Sequence, residues 1–138
     1  MAASLRPAMI DRDRGHRLWE VLQDPPTQQA VRGLDDLVPG FADWIVTSLF
    51  GGTYQRSELS LRDRQLINLA ALATLGDVDP QLAGHVRTGL RVGLTREQIV
   101  EVFVHLAPYI GVPRALAALR VVGATLASDA VPARDGDR

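Results

Sequence analysis

The chain has 138 residues, a formal net charge of −1 and no cysteine, and it has 15 arginines but no lysine. This composition excludes thiolate nucleophiles, disulfide exchange and lysine Schiff bases, and the absence of a basic stripe argues against a nucleic-acid partner. No apolar run approaches the ~20 residues that span a membrane, and the first residues lack the apolar stretch of a secretory signal. We therefore expect one cytoplasmic domain whose chemistry depends on histidine, carboxylate, arginine and tyrosine.

The first half of the chain predicts short helices that proline and glycine interrupt. We expect a flexible N-terminus over 1–14, a helical domain over 15–127 and a disordered tail over 128–138. Proline at positions 25 and 26 bars a continuing helix, Pro39-Gly40 predicts a break, and Gly51-Gly52 predicts an end. The helical pieces predicted here are 15–22, 27–33 and 35–50.

The second half predicts longer helices with clear start and stop signals. Asp79 followed by proline is typical of an N-cap, and Gly93 of a helix end. Thr95 and Gln98 predict a capping box. No stretch alternates apolar and polar residues with a period of two, so strands are not expected. The predicted class is therefore all-α, with about six helices in the domain. The helices predicted in this half are about 61–75, 80–92, 96–110 and 113–127.

His85 is the first candidate for proton transfer, because it shares a helix face with the apolar residues Leu82 and Val86. A histidine on such a face is more often a hydrogen-bonded core residue than a catalytic one. Gly89, one turn later, leaves space of the kind a small ligand needs, but close packing of two helices explains this glycine equally well. The pattern leaves both interpretations open.

His105 is the second candidate, with Glu101 one turn before it and Tyr109 one turn after it. A Glu–His pair at this spacing can form a hydrogen bond that orients the imidazole and favours its charged form. The alternative is an exposed helical pair with a small effect on stability. His85 and His105 lie on consecutive helices and could share one pocket. The histidine spacing matches no metal motif, so neither a metal nor a cofactor is expected.

Candidate anion-binding residues lie in and after the turn that begins at Gly51. This turn presents Tyr54 and Arg56, which can bind a carboxylate or can be part of a solvated connector. Arg62 and Arg64 lie in the first turn of the next helix, where a cation opposes the helix dipole. Their position suggests a substrate carboxylate or an acidic residue of another subunit as partner.

Three stretches together resemble the carboxymuconolactone decarboxylase family, which includes the alkylhydroperoxidase D-like proteins. They read LSLRDRQLINLAALATLG over 59–76, HVRTGLRVGLTREQIVEVFVHLAPYIGVPRALAALR over 85–120 and, more loosely, LFGGTYQRSELS over 49–60. The resemblance covers about residues 15–126, and its most specific part combines GLTREQIVEV with YIGVPRALAAL. It implies an alkylhydroperoxidase D-like helical fold, assembly into trimers or hexamers, and a pocket near the subunit interface.

The resemblance also separates two chemistries. The peroxidase-type branch carries a CxxC motif at positions that match about Val78 and Gln81, so a chain without cysteine is not a thiol peroxidase. The decarboxylase branch lacks these cysteines and converts a carboxylated muconolactone to an enol-lactone with loss of carbon dioxide. His85 matches the histidine of that branch. Many members have glutamate where this chain has Gln65, which can neither act as a base nor carry a charge.

The resemblance implies a cofactor-free lyase of aromatic-compound catabolism that uses acid/base chemistry on a small carboxylated lactone or related cyclic compound. His85 is the expected proton donor. The alternatives are an isomerase or cyclase of a specialised pathway, a non-catalytic oligomer that binds a small molecule, and a mainly structural role. The expected catalytic residues are His85, His105 and Glu101, and the expected substrate-binding residues are Arg56, Tyr54, Arg64, Tyr109 and Gln65.

Overall fold

The computed structural model describes residues 10–128, which form two compact units that divide between Ser60 and Leu61. These residues form seven α-helices and no strand, which confirms the predicted all-α class. Within the same range, every helix is too short or too polar to cross a bilayer. Most of the predicted flexible N-terminus and nearly all of the predicted tail lie outside the described residues, and the domain bounds at 15 and 127 stay predictions.

The first unit is built from short helical segments. Its first helix begins earlier than predicted, at Arg12, because the side chain of Asp11 accepts a hydrogen bond from the backbone N–H of Arg14. The predicted break after Pro39 is present, since Gly40 adopts a left-handed conformation with φ of 83°. The segments are α1 (Arg12–Leu22), α2 (Pro25–Gly33), a 3₁₀ turn (Leu34–Asp36), α3 (Phe41–Ile45), a π-helical turn (Val46–Phe50) and a second 3₁₀ turn (Thr53–Gln55).

The second unit contains four longer helices, whose bounds agree with the predicted ones to within a residue or two. The capping box is confirmed, because the Thr95 hydroxyl accepts from the Gln98 N–H and the Gln98 side chain accepts from the Thr95 N–H, both at 3.0 Å. One detail differs: Asp79 is the first helical residue and Val78 is the N-cap. The helices are α4 (Leu61–Leu75), α5 (Asp79–Arg91), α6 (Arg96–Ile110) and α7 (Val112–Ser128).

The core of the second unit lies where these four helices meet. Each helix contributes at least one fully buried side chain, and α4 packs against the other three helices, as expected of a central helix. One face of α4 nevertheless stays open, since Ile67 and Leu75 are 53% and 67% exposed. The predicted burial of α4 therefore holds for only part of its circumference. The fully buried apolar side chains are Leu69, Val86, Ile99, Phe103 and Val122.

Candidate functional site

A hydrogen bond between α4 and α5 joins the first candidate histidine to a buried glutamine. The Nδ1 atom of His85 lies 2.8 Å from the Oε1 atom of Gln65. Gln65 has no exposed surface, whereas the imidazole of His85 is only partly buried. Leu82 and Val86, which flank His85 along α5, are both core residues. The packing of α5 on α4 therefore holds this histidine at the edge of the core, with one ring nitrogen bonded.

The surroundings of His85 favour its neutral form. Burial lowers the pKa of His85 below its ordinary value of 6.5, because a charged imidazolium loses solvation where water is excluded. A ring with a lowered pKa is mostly neutral at neutral pH, and it is a stronger acid than an ordinary histidine once it is protonated. Delivery of a proton to a substrate would therefore use the minor protonated form of His85, whose acidity is the higher for its lowered pKa.

The surroundings of Gly89 distinguish between the two explanations of this glycine, space for a ligand and close packing of two helices. A Cβ atom at this position would lie 3.2 Å from Cδ1 of Leu94 and 3.5 Å from Cδ1 of Ile99. Two core side chains therefore fill the space that the missing side chain leaves. The structure supports close packing, not a ligand cavity, as the reason for this glycine.

The second candidate histidine lies in a different place, in a groove between α4 and α6. The groove has a volume of about 670 Å³, within the range of small-molecule pockets, and is open to solvent. His105 and Glu101 contribute polar groups from α6, and Arg62 and Asp63 contribute polar groups from α4. His85 is not part of the lining. The lining residues are Arg62, Asp63, Leu66, Ile67, Ala70, Leu94, Gln98, Glu101, Val102, His105 and Leu106.

The polar groups of this groove differ in how firmly they are held. Arg62 donates a hydrogen bond of 2.9 Å to the side chain of Gln98, which links α4 to α6 at the exposed edge of the groove. His105 is exposed, and its ring lies 5.4 Å from that of Tyr109. Within residues 10–128 no hydrogen bond joins Glu101 to His105. The spacing of this pair allowed the predicted contact, but the structure does not form it.

The remaining predicted binding residues lie apart along the chain. In the first unit, Tyr54 is buried and stacks on Phe50 with 5.1 Å between ring centroids, and an Arg56 guanidinium nitrogen lies 3.8 Å from a Glu58 carboxylate oxygen. Arg64 is half-buried on α4 in the second unit. Among the described residues, no group of three or more potential metal ligands converges.

Comparison with known proteins gives the family. A model of the carboxymuconolactone decarboxylase family matches residues 39–124, more than half of the chain. The protein belongs to the carboxymuconolactone decarboxylase family. It is 28% identical over 102 residues to 4-carboxymuconolactone decarboxylase of Acinetobacter baylyi, with 74% of this chain and 75% of the relative covered. It is also 28% identical over 100 residues to an uncharacterized 15.0 kDa protein in the nqo9-nqo10 intergenic region of Paracoccus denitrificans, with 72% and 75% covered.

The family match spans both histidines and includes groove residues that sequence reasoning missed. Asp63 and Gln98 were not among the predicted site residues, although both line the groove and Gln98 also bonds Arg62. The signal for Asp63 was present in the sequence. Asp63, Ile67 and Ala70 follow helical spacing and so lie on one face of α4. Gln65 points away from that face, toward α5 and His85.

Proposed function

We propose that this member of the carboxymuconolactone decarboxylase family is a cofactor-free lyase that removes a carboxyl group from a small carboxylated lactone or a related cyclic compound. The supporting observation is the partly buried His85, held at Nδ1 by Gln65 and with a lowered pKa. The similarity to a 4-carboxymuconolactone decarboxylase supports the substrate class. His85 is the proton donor in this proposal.

In the proposed reaction, the bond between a lactone carbon and its carboxylate breaks and carbon dioxide leaves. The electron pair of that bond delocalises into the unsaturated lactone as an enolate. Protonated His85 then gives its Nε2 proton to a ring carbon, and the neutral imidazole takes its next proton from water. One proton is consumed for each carbon dioxide released. A positioned acid of this kind contributes ~10²–10⁴-fold to the rate.

The substrate carboxylate needs a cationic partner, which arginine supplies as a planar pair of donors that stays charged at every relevant pH. Arg64 of the second unit keeps its predicted role as such a partner, with Tyr109 as a further binding residue, and the roles of Arg56 and Tyr54 stay predictions from the sequence. His105 and Glu101 keep a supporting role in proton transfer. Arg62, a candidate from the sequence as well, lines the groove and bonds Gln98 there.

The protein is proposed to work as a trimer or as a hexamer. The support is the apolar surface of the second unit, where several aliphatic side chains of α4, α6 and α7 are more than half exposed. A second copy that packs on this surface removes it from water and closes a pocket that a single chain leaves open. Light scattering on the purified protein tests the assembly, and a monomer would contradict it. The exposed side chains are Ile67, Leu75, Val104, Val112 and Leu116.

In the deciding experiment, the purified protein is mixed with 4-carboxymuconolactone. Carbon dioxide release and ultraviolet absorbance are then measured together. The expected result is carbon dioxide in equal amount to the lactone consumed. A folded His85→Asn protein serves as the inactive control. If the folded wild type releases no carbon dioxide from this or any related carboxylated lactone, the proposed activity is wrong.

A second candidate function is binding without turnover, and one observation favours it. By the resemblance drawn from the sequence, Gln65 replaces a glutamate that many members of the family carry, and an amide cannot transfer a proton. Titration calorimetry with the carboxylated lactone separates the two candidates. Heat of binding without any product would assign the protein to the binding class, whereas product formation would assign it to the lyases.

A further inference from the structure

The contact between Gln65 and His85 specifies which ring nitrogen carries the proton. The Oε1 atom of an amide side chain accepts hydrogen bonds and cannot donate one. At 2.8 Å from that oxygen, Nδ1 of His85 must therefore be the donor. A neutral imidazole has only one N–H group. With Nδ1 protonated, the Nε2 atom of the neutral ring is left with its lone pair.

We propose that Gln65 is a positioning residue that holds neutral His85 as the Nδ1–H tautomer, so that Nε2 is the ring atom that exchanges a proton with the substrate. The inference rests on the proposed role of His85 in proton transfer. When imidazolium gives its proton from Nε2, the ring that remains is the Nδ1–H tautomer. The hydrogen bond to Gln65 already fits this product, so neither the ring nor the amide needs to turn during the cycle.

Complete burial makes Gln65 suitable for this task. Its side chain has no exposed surface, so solvent does not compete for Oε1, and a buried hydrogen bond that is lost leaves an unsatisfied polar group. An uncharged acceptor also stabilises imidazolium less than a carboxylate does, which preserves the acidity that burial gives to His85. Gln65 therefore acts on the substrate through His85, not by direct contact.

The tautomer can be read directly by nuclear magnetic resonance. A long-range ¹H–¹⁵N correlation spectrum of the ¹⁵N-labelled full-length protein, recorded well above the ordinary pKa of histidine, distinguishes a protonated ring nitrogen from a bare one. The signals of His85 are those that disappear in His85→Asn. The expected pattern is a protonated Nδ1 and a bare Nε2. A protonated Nε2 with a bare Nδ1 would overturn the inference and would mean that the amide of Gln65 faces the ring with its NH₂ group.

Substitutions at Gln65 test the cause of the tautomer. Gln65→Glu keeps an acceptor and is expected to keep the Nδ1–H pattern, whereas Gln65→Leu removes the acceptor and is expected to lose it. Gln98→Leu is the matched control, because Gln98 also accepts hydrogen bonds through Oε1 but bonds Arg62 and Thr95. An unchanged Nδ1–H pattern in Gln65→Leu would overturn the inference. If Gln65→Leu does not fold, the spectra of the wild type and Gln65→Glu decide.

Turnover adds an independent readout. Gln65→Leu is expected to lower kcat with little change in KM, by about the 10- to 100-fold that follows loss of the partner orienting an imidazole at metal sites. A KM effect alone would contradict a positioning role. If the wild type shows the Nδ1–H tautomer but converts no lactone, the proposed function fails and the tautomer assignment stands. If it converts the lactone but shows a protonated Nε2 and a bare Nδ1, the proposed function stands and the tautomer assignment fails.

Discussion

The two histidines of the second unit lie in contrasting environments, although the sequence made both candidates for proton transfer on consecutive helices. His85 is partly buried, and the fully buried Gln65 bonds one of its nitrogens. His105 is exposed beside Tyr109 in an open groove, without a hydrogen bond to Glu101. What differs is the residue that the neighbouring helix places opposite the ring. Within the described residues, the single chain therefore holds one ring nitrogen of His85, whereas we expect a ligand or a second copy to hold His105.

The largest expected effect is at His85. His85→Asn removes the proton donor, and we expect kcat/KM for the carboxylated lactone to fall by ~10²–10⁴-fold while the fold is kept. The matched control is His16→Asn, which makes the same change at a histidine of the first unit that bonds Asp43. Equal losses in the two variants, or full activity in a folded His85→Asn protein, would remove the distinction between His85 and the other histidines.

The next prediction concerns Gly89 of α5, which packs closely against two core side chains. Gly89→Val places a branched side chain against Leu94 and Ile99. Because overpacking a core is destabilising, we expect the free energy of unfolding to fall by about 1–3 kcal/mol. Urea unfolding measures it. Gly123→Val is the control, because a Cβ there meets nothing within 4 Å. Unchanged stability with lost ligand binding at Gly89 would show a ligand space after all.

At His105 we expect a smaller loss. His105→Asn and Glu101→Gln should each lower kcat/KM by about tenfold, roughly 1.4 kcal/mol in the transition state, because neither side chain is held by the other. Glu97→Gln, at the exposed start of the same helix, serves as the control. A loss at His105 as large as that at His85 would show that the ligand-bound oligomer orients both histidines, and the contrast between them would be confined to the free single chain.

The sequence predicted the second unit well because its signals are local. Thr95 and Gln98 cap α6 through contacts three residues apart, and Gly93 ends α5 with φ of 96°. In the first unit, the predicted helix over 35–50 is instead a 3₁₀ turn, a short α-helix and a π-helical turn. Apolar spacing does not distinguish these closely related helix types.

The candidate site was predictable only in part, for a similar reason. Spacing along α5 placed His85 near Leu82 and Val86, and the structure buries both of these residues in the core. Its partner Gln65 lies 20 residues away on another helix, and such a pairing depends on how α4 and α5 pack. For Glu101 and His105 the spacing permitted a contact, but it did not determine which rotamers the two side chains adopt.

The smallest expected effect is a pH dependence of stability that belongs to His85 alone. Because burial lowers its pKa in the folded state, the unfolded chain binds more protons than the folded one between that lowered pKa and 6.5. The contribution of His85 to the free energy of unfolding therefore rises with pH across this window. It is fully present above 6.5 and is lost as the pH falls. Asparagine does not titrate, so the free energy of unfolding of the wild type relative to His85→Asn should decrease as the pH is lowered from above 6.5. The other titrating groups are common to both proteins and cancel in this difference. A difference that stays constant with pH would mean that the folded protein solvates His85 as well as water does, and the contrast with His105 would then rest on the hydrogen bond to Gln65 alone.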